Sequence, residues 1–290
     1  MPTSRISNKY QFQINTNFKF VSLIIFSLSL ITYLSVKALT MGDHLPLTFA
    51  QTPKEKARQD YTFQFTKYRE AQEKYSTAQA AYLSFQTATA KNDAYLKAKE
   101  FLSQTDSLYL SYIALVTEYG NSMDWQRTSL SKDKINTLEE TEVSYFQTHQ
   151  KQISQTATLE ELPPLTQELK NHIEKSLSLK INKILATFEV AETESTFNEF
   201  SELSQTVRNK IASQSRSEET NSILMNWTSE IENIRKSSEV LKNQSIEKFN
   251  QKPQDTLEQG DLEEITKFTQ EAKSQLKKSK PLFEEVARIL

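Results

Sequence analysis

The sequence contains no cysteine, and only 3 of its 290 residues are glycine. Without cysteine the chain can form no disulfide, no thiolate metal site and no thiol nucleophile. Average proteins contain about 7% glycine, and Rossmann and P-loop domains need glycine where the backbone turns sharply or approaches a phosphate. The shortage of glycine therefore argues against those nucleotide-binding folds and against β-rich architecture. It favours an all-α fold.

An excess of positive charge is also missing. Residues 53–290 carry 31 of the 35 Lys and Arg residues and 36 of the 37 Asp and Glu residues, which gives this stretch a net charge of −5. Proteins that bind nucleic acid present a broad basic surface to the phosphates. We therefore expect no nucleic-acid partner.

One long stretch without charge stands out from this polar composition. Residues 20–36, FVSLIIFSLSLITYLSV, lie between Lys19 and Lys37. As a helix with a rise of about 1.5 Å per residue, the stretch would be roughly 25 Å long. That length is near the lower limit for crossing a bilayer core of about 30 Å. The stretch predicts attachment to a membrane through residues 20–36.

The residues that precede this stretch indicate its orientation, because Arg5, Lys9 and Lys19 are not accompanied by any acidic residue. Basic residues flanking a membrane helix stay on the cytoplasmic side. We therefore predict a cytoplasmic tail over residues 1–19, a transmembrane or signal-anchor helix over 20–39, and an extracytoplasmic region over 40–290.

Two alternatives to an uncleaved anchor remain open. The small residues in Thr48-Phe49-Ala50 form a plausible signal-peptidase site, and cleavage near Ala50 would release a secreted or periplasmic protein. The stretch could instead be a buried core helix of a cytosolic protein. The second alternative is disfavoured because the stretch is apolar on all sides, unlike every later predicted helix.

Helical spacing begins after a linker over residues 40–53, which is marked by Gly42 and Pro46. Aromatic and alanine residues then recur at steps of three and four, which is the pattern of one helix face. The first such set is Tyr61, Phe65, Tyr68, Ala71, Tyr75, Ala78, Tyr82 and Phe85. The second is Ala94, Ala98, Phe101, Thr105, Leu108, Tyr112, Leu115 and Tyr119.

These two stripes predict an antiparallel helical hairpin with a soft break at Asn92-Asp93 and an end at Gly120-Asn121. A third helix should begin around Asp124 or Ser131. It should stop before Thr158-Leu-Glu-Glu161, and the Pro163-Pro164 pair that follows should prevent a continuous helix, since proline cannot continue one.

The second half of the chain replaces tyrosine with leucine, isoleucine and phenylalanine. A stripe of these residues occupies Leu165, Leu169, Ile173, Leu177, Ile181, Ile184 and Phe188. Thr196-Phe-Asn-Glu199 and Ser215-Arg-Ser-Glu218 match the capping-box pattern and predict two further helix starts. Pro253 and Gly260 predict the end of a helix, Asp261 a cap for the next, and Pro281 a kink or restart.

The predicted fold is therefore all-α, with an N-terminal membrane-spanning or signal helix followed by elongated antiparallel helical-hairpin bundles that resemble coiled coils. We expect six or seven helices after the membrane run. They divide into a Tyr-rich bundle over residues 54–162 and a Leu/Ile-rich bundle over 163–290. A long dimeric coiled coil is the alternative packing, and the oligomeric state stays open.

The sequence contains three histidines that could be metal ligands or catalytic residues: His44, His149 and His172. Di-metal carboxylate bundles place a glutamate three residues before each histidine, and neither helical histidine has one. Glu168 lies four residues before His172 and could share a ligand with it, but a solvated polar pair explains this spacing better. We therefore predict no catalytic, cofactor-binding or metal residues.

Other possible catalytic patterns have simple alternatives. The adjacent glutamates Glu139-Glu140, Glu160-Glu161 and Glu263-Glu264 point in different directions on a helix, so they indicate solvated faces. Ser131 and Lys134 have the Ser-x-x-Lys spacing, which is expected by chance in a chain rich in both residues. The tyrosine stripe could be an exposed recognition face, but its regular spacing favours the buried edge of a bundle.

Together these features predict a non-enzymatic, membrane-anchored binding or scaffold module at the cell envelope, with an unidentified protein partner. The alternative is a cleaved, soluble exported helical protein, such as a periplasmic binder or a holdase-like chaperone.

Overall fold

A computed structural model describes residues 52–290, and within them the fold is all-α with no strand, as predicted. The helices are α1 Pro53–Phe85, α2 Ala88–Asn121, α3 Asp133–Gln155, α4 Leu162–His172, α5 Ser178–Ala212, α6 Glu218–Asn250, α7 Gln259–Lys277 and α8 Lys280–Ile289. A π-helical turn, Ile173–Leu177, joins α4 to α5 without a break. If these three segments count as one helix, the described residues hold six long helices and one short one, in agreement with the expected number.

The predicted tail over 1–19, the membrane helix over 20–39 and almost all of the linker over 40–53 lie outside the described residues. Between Thr52 and Leu290, no helix combines the length and the apolar character that crossing a membrane requires.

Helices α1 and α2 form the predicted antiparallel hairpin. The ring of Tyr61 lies 5.9 Å from that of Tyr112, and Tyr68 lies 5.4 Å from Phe101. Tyr61 and Tyr68 are buried and Tyr75 and Tyr82 are half-buried, which agrees with the buried-edge interpretation of the tyrosine stripe.

The predicted break at Asn92-Asp93 is wrong, because both residues lie inside α2. The turn occurs at Gln86 and Thr87 instead. Gln86 has a left-handed backbone conformation with φ of 50°, and the Thr87 hydroxyl accepts a hydrogen bond from the Ala90 amide. These two residues end one helix and cap the next.

Helix α2 ends at Asn121 as predicted, but Gly120 does not adopt the left-handed conformation that glycine often has at a helix end. Its lack of a side chain makes room for Ile135 and Phe188. Helix α3 packs antiparallel on α2 and ends at Gln155. Pro163 and Pro164 then occupy the first turn of α4, where proline is compatible with a helix.

The predicted helix start at Thr196 is wrong. Helix α5 continues through this position, and the Thr196 hydroxyl donates to the Glu192 carbonyl one turn earlier. Glu199 forms an ion pair with Arg127 and does not cap an amide. A threonine hydroxyl can bond within a helix as well as cap one, so the Thr-x-x-Glu pattern was misleading here.

Helix α6 begins at Glu218, and its cap is Ser217, whose hydroxyl accepts from the Thr220 amide. The capping box predicted from Ser215 was therefore displaced by two residues. Asp261 does not cap α7, which begins at Gln259; its carboxylate instead lies 2.8 Å from Lys252 Nζ. As predicted, Pro281 lies in the first turn of a new helix, α8.

Helices α5, α6 and α7 enclose an apolar cluster formed by Ala186, Val190, Phe249, Leu257, Leu262 and Ile265. The predicted boundary between residues 162 and 163 falls at the start of α4. Helix α4 lies against α3, whereas α5, which continues from α4 through the π-helical turn, packs against α6 and α7. The division into two domains stays a prediction.

Candidate functional site

Three of the five buried Asp, Glu, His, Lys and Arg side chains of the described residues lie together where α2, α3 and α4 meet, beside three half-buried side chains. We call this group the histidine cluster; its members are Asp106, Glu142, Tyr145, His149, His172 and Lys180. The exposed fractions of the Asp106, Glu142 and His149 side chains are at most 1%. Charged residues are rarely buried to this extent unless they are paired.

Helical periodicity brings the cluster together. Glu142, Tyr145 and His149 lie at steps of three and four on α3, so they share one face. Asp106 reaches this face from α2, and His172 reaches it from the last residue of α4. The π-helical turn begins at the next residue, and such turns are frequent at functional sites.

The first pair in the cluster is Asp106 and His149. His149 Nδ1 lies 2.9 Å from Asp106 Oδ1 and 2.8 Å from Asp106 Oδ2. On the other side of the ring, His149 Nε2 lies 3.2 Å from the Leu165 carbonyl oxygen. The imidazole therefore links α2, α3 and α4 through one side chain.

The second pair is Glu142 and His172. His172 Nε2 lies 2.6 Å from Glu142 Oε2, and Lys180 Nζ lies 2.8 Å from Glu142 Oε1. The Tyr145 ring lies between the two pairs and is nearly parallel to both imidazole rings. Its centroid is 3.5 Å from the centroid of the His172 ring and 6.1 Å from that of the His149 ring. The six side chains therefore form one connected group.

The environment shifts the pKa values within the cluster. Burial alone would lower the pKa of His149, but the hydrogen bond and charge of Asp106 outweigh it and raise the pKa. Burial raises the pKa of Asp106, which the hydrogen bond from His149 offsets only in part. Burial opposes ionisation of Glu142, yet its bonds to His172 and Lys180 lower its pKa.

The structure separates residues that the sequence suggested as partners. Glu168 is exposed and His172 pairs with Glu142, so the shared-ligand hypothesis for Glu168 and His172 does not describe this site. Ser131 bonds to Asp133, while Lys134 reaches Asp255, so these two residues do not form a nucleophile–base pair. Among residues 52–290, no three His, Cys, Asp or Glu side chains are arranged to hold a metal ion.

The adjacent glutamates act at the surface and at chain turns. Glu160 forms an ion pair with Lys91, and Glu264 forms one with Lys248. Glu161 accepts hydrogen bonds from the Ala157 amide and the Thr158 hydroxyl. None of these contacts brings two carboxylates to one reacting centre.

Several large apolar side chains of the described residues are exposed, among them Phe63, Met225 and Val240, and two further groups lie at a groove and at a helical turn. An apolar groove of about 360 Å³ lies between α5, α7 and α8, and its apolar walls are Phe200, Leu203, Leu276 and Phe283. Near the turn of the first hairpin, Leu83, Phe85 and Leu96 form the hairpin end, where Phe85 is 72% exposed.

Asp106 and Glu142 were not predicted from the sequence as site residues, although the sequence contains a signal for Asp106. On α2 a second set of buried positions runs beside the first at steps of four and three: Leu102, Asp106, Tyr109, Ile113 and Val116. An aspartate in such a stripe must be buried, and a buried carboxylate requires a partner.

Comparison with protein-family models, with curated proteins and with solved structures gives no match for this chain.

Proposed function

We propose that this chain is a membrane-anchored protein whose residues 40–290 face away from the cytoplasm and serve as a non-catalytic binding or scaffold module at the cell envelope. The anchoring is supported by the uncharged stretch over residues 20–36 and by the basic residues before it. In this proposal the helical hairpins form elongated, coiled-coil-like bundles that carry the binding surface.

The observation that carries the binding role is the apolar groove. Its walls come from three helices. One of the wall residues, Leu203, is an apolar side chain that is 50% exposed on a helix with many polar residues. Lys280 and Glu284 also line the groove. A centre of aliphatic and aromatic side chains with charges of both signs nearby is typical of protein–protein interfaces.

We propose a polypeptide with apolar side chains as the occupant of the groove. An anionic membrane or a nucleic acid would require a basic surface, whereas residues 53–290 carry the net charge of −5 described above. The hairpin end, with Phe85 at its tip, provides a second place for contact with the same kind of partner.

The test places a photo-crosslinking amino acid at Leu203, at Phe85 or, as a control, at Val240, in the full-length protein in its native membrane. Val240 is an exposed apolar residue outside both surfaces. We expect a discrete polypeptide adduct from Leu203 or Phe85 and none from Val240. Equal labelling from all three positions would contradict the proposal.

Direct binding then separates a true partner from a chance neighbour. With the purified partner, Leu203→Ser and Phe283→Ser should each weaken binding about tenfold, because a buried interface anchor contributes more than about 1 kcal/mol. Val240→Ser should leave the affinity unchanged. Unchanged affinity in both groove variants would show that the groove is not the binding surface.

The alternative is a cleaved, soluble exported protein that acts as a periplasmic binder or a holdase. The small residues at Thr48-Phe49-Ala50 favour cleavage, and exposed apolar surfaces are what a holdase requires. A holdase would suppress the aggregation of unrelated unfolded proteins, and Leu203→Ser would reduce that activity. A scaffold with one partner would not suppress aggregation.

A further inference from the structure

The hydrogen bonds of His149 determine how many protons the Asp106–His149 pair holds. A carbonyl oxygen only accepts hydrogen bonds, so His149 Nε2, which faces the Leu165 carbonyl, must carry a hydrogen. One further proton must lie between Nδ1 and the Asp106 carboxylate, because both atoms would otherwise be acceptors at 2.8 Å. The pair therefore holds two protons and is neutral overall.

The whole cluster is balanced in the same way. The charged groups that face it are Asp106 from α2, Glu142 from α3, His172 and Glu168 from α4 and Lys180 from α5, together with His149 and the Tyr145 hydroxyl. With both histidines protonated, three cations match three carboxylates. Loss of both histidine protons leaves an excess of two negative charges. Two of the three carboxylates, Asp106 and Glu142, are almost fully buried, while Glu168 is exposed.

The segment that this imbalance affects most directly is α4. It contacts the cluster through the Leu165 carbonyl at one end and His172 at the other. Residues 156–161 connect it to α3, and the π-helical turn Ile173–Leu177 connects it to α5. Because π-helical turns are among the few places where helices kink sharply, this turn is where we expect α4 to change its direction relative to α5.

We propose that the histidine cluster is a pH-sensitive switch: at mildly acidic and neutral pH it holds α4 against α2 and α3, and loss of the histidine protons at alkaline pH releases α4 at the π-helical turn. The raised pKa of His149 agrees with this direction, since the folded protein keeps the proton to a higher pH than an isolated imidazole does.

Hydrogen–deuterium exchange of the full-length protein in detergent tests the switch. After correction for the intrinsic effect of pH, protection of residues 162–177 should fall by about tenfold or more from about pH 6 to about pH 9, which spans the range around an ordinary histidine pKa. Protection of α6 should stay constant over the same range. An unchanged or uniform loss of protection would contradict the proposal.

Variants separate a switch from a merely structural contact. In His149→Gln or His172→Gln alone the pH dependence of the protection of residues 162–177 should weaken, and with both substitutions together it should disappear, whereas a structural role would lower protection equally at every pH. Glu232→Gln is the control, because this carboxylate lies in a separate cluster with Arg208 and Arg235 and its pKa of about 2 keeps it ionised throughout. It should keep the pH dependence of the unmodified protein.

The unmodified protein provides a test that does not depend on folding of the variants. With isotope-labelled histidine, the NMR titration midpoint of His149 or His172 should coincide with the midpoint of the exchange transition. If both histidines titrate more than about one pH unit away from that transition, which is a tenfold difference in proton affinity, the cluster does not control α4.

Discussion

Replacing Gly120 by alanine tests the packing where α2, α3 and α5 meet. A Cβ atom added at Gly120 would lie 2.5 Å from Ile135 Cδ1 and 3.2 Å from two ring carbons of Phe188. Ile135 is only 2% exposed, and the Phe188 ring is packed against Tyr119 and Trp125. Both neighbouring side chains are buried, so the Ile135 Cδ1 atom would have to shift within the protein interior to accommodate the new Cβ.

The expected cost is the difference between two effects. Overpacking a well-packed core costs about 1–3 kcal/mol, while replacing glycine by alanine inside a helix contributes about 1 kcal/mol of stability. Gly120→Ala should therefore lower the free energy of unfolding by about 1 kcal/mol. Gly260→Ala is the matched control: no atom lies within 4 Å of the added Cβ, so it should be neutral or stabilising by at most about 1 kcal/mol.

Urea unfolding of the full-length protein, followed by circular dichroism, measures both changes. A double-mutant cycle identifies the cause, because Ile135→Val removes the Cδ1 atom that the new Cβ would strike. Ile135→Val alone should cost about 0.5–1.5 kcal/mol, and the two substitutions together should cost about 1 kcal/mol less than their sum. Additivity within about 0.3–0.5 kcal/mol would refute the steric argument.

Three further predictions follow from other elements. Ser217→Ala should destabilise the protein by about 1 kcal/mol because it removes a helix cap, whereas Thr196→Ala, inside α5, should change stability by less than about 0.5 kcal/mol; equal costs in urea unfolding would contradict the assigned helix start. Glu142→Gln should cost about 1–3 kcal/mol, since it leaves His172 and Lys180 without their carboxylate partner. The stability due to Glu142, whose pKa is lowered, is present above the unfolded pKa of about 4.3 and is lost as the pH falls through the folded value, so the variant should show a weaker loss in acid unfolding. NMR titration should give Lys183 a pKa of about 8, because burial and the charge of Lys134 disfavour its ammonium form; an ordinary lysine pKa would show that this side chain is solvated.

Much of the helical organisation follows from the spacing of apolar residues. The stripes on α1 and α2 predicted the hairpin and its buried face, because a face of aromatic and alanine side chains can be buried only against another helix. The helix boundaries were less predictable. The turn at Gln86-Thr87 contains neither glycine nor proline, and Thr196-Phe-Asn-Glu199 has the pattern of a cap but lies within a helix.

The sequence contains a signal for the π-helical turn: the spacing of its apolar residues departs from the mixed steps of three and four residues that a regular α-helix shows. Across α4, the π-helical turn and the start of α5, a leucine or isoleucine occurs at every fourth residue: Leu165, Leu169, Ile173, Leu177 and Ile181. A regular α-helix with about 3.6 residues per turn would rotate such a stripe away from its face. A wider turn at Ile173–Leu177 keeps these residues on one side, and all but the half-buried Leu165 are buried.

The histidine cluster could not be derived from spacing within any one helix. Its pairs join Asp106 to His149 and Glu142 to His172, which are 43 and 30 residues apart in the chain. The sequence shows that Asp106 and Glu142 occupy positions among buried apolar residues. Which cation meets each of them depends on how α2, α3 and α4 pack, and this depends on side-chain shape across the whole interface.

The most direct test of the proposed function is the state of the native protein in the cell envelope. Intact mass, alkaline extraction of membranes and protease added to spheroplasts, in which the outer face of the cytoplasmic membrane is accessible, should be measured on the same preparation. The proposal predicts a chain that retains residues 20–36, stays in the membrane fraction after extraction, and loses the region after residue 40 to external protease. A soluble chain beginning near Gln51, or a membrane-bound chain whose residues 40–290 are protected from protease in spheroplasts, would contradict it.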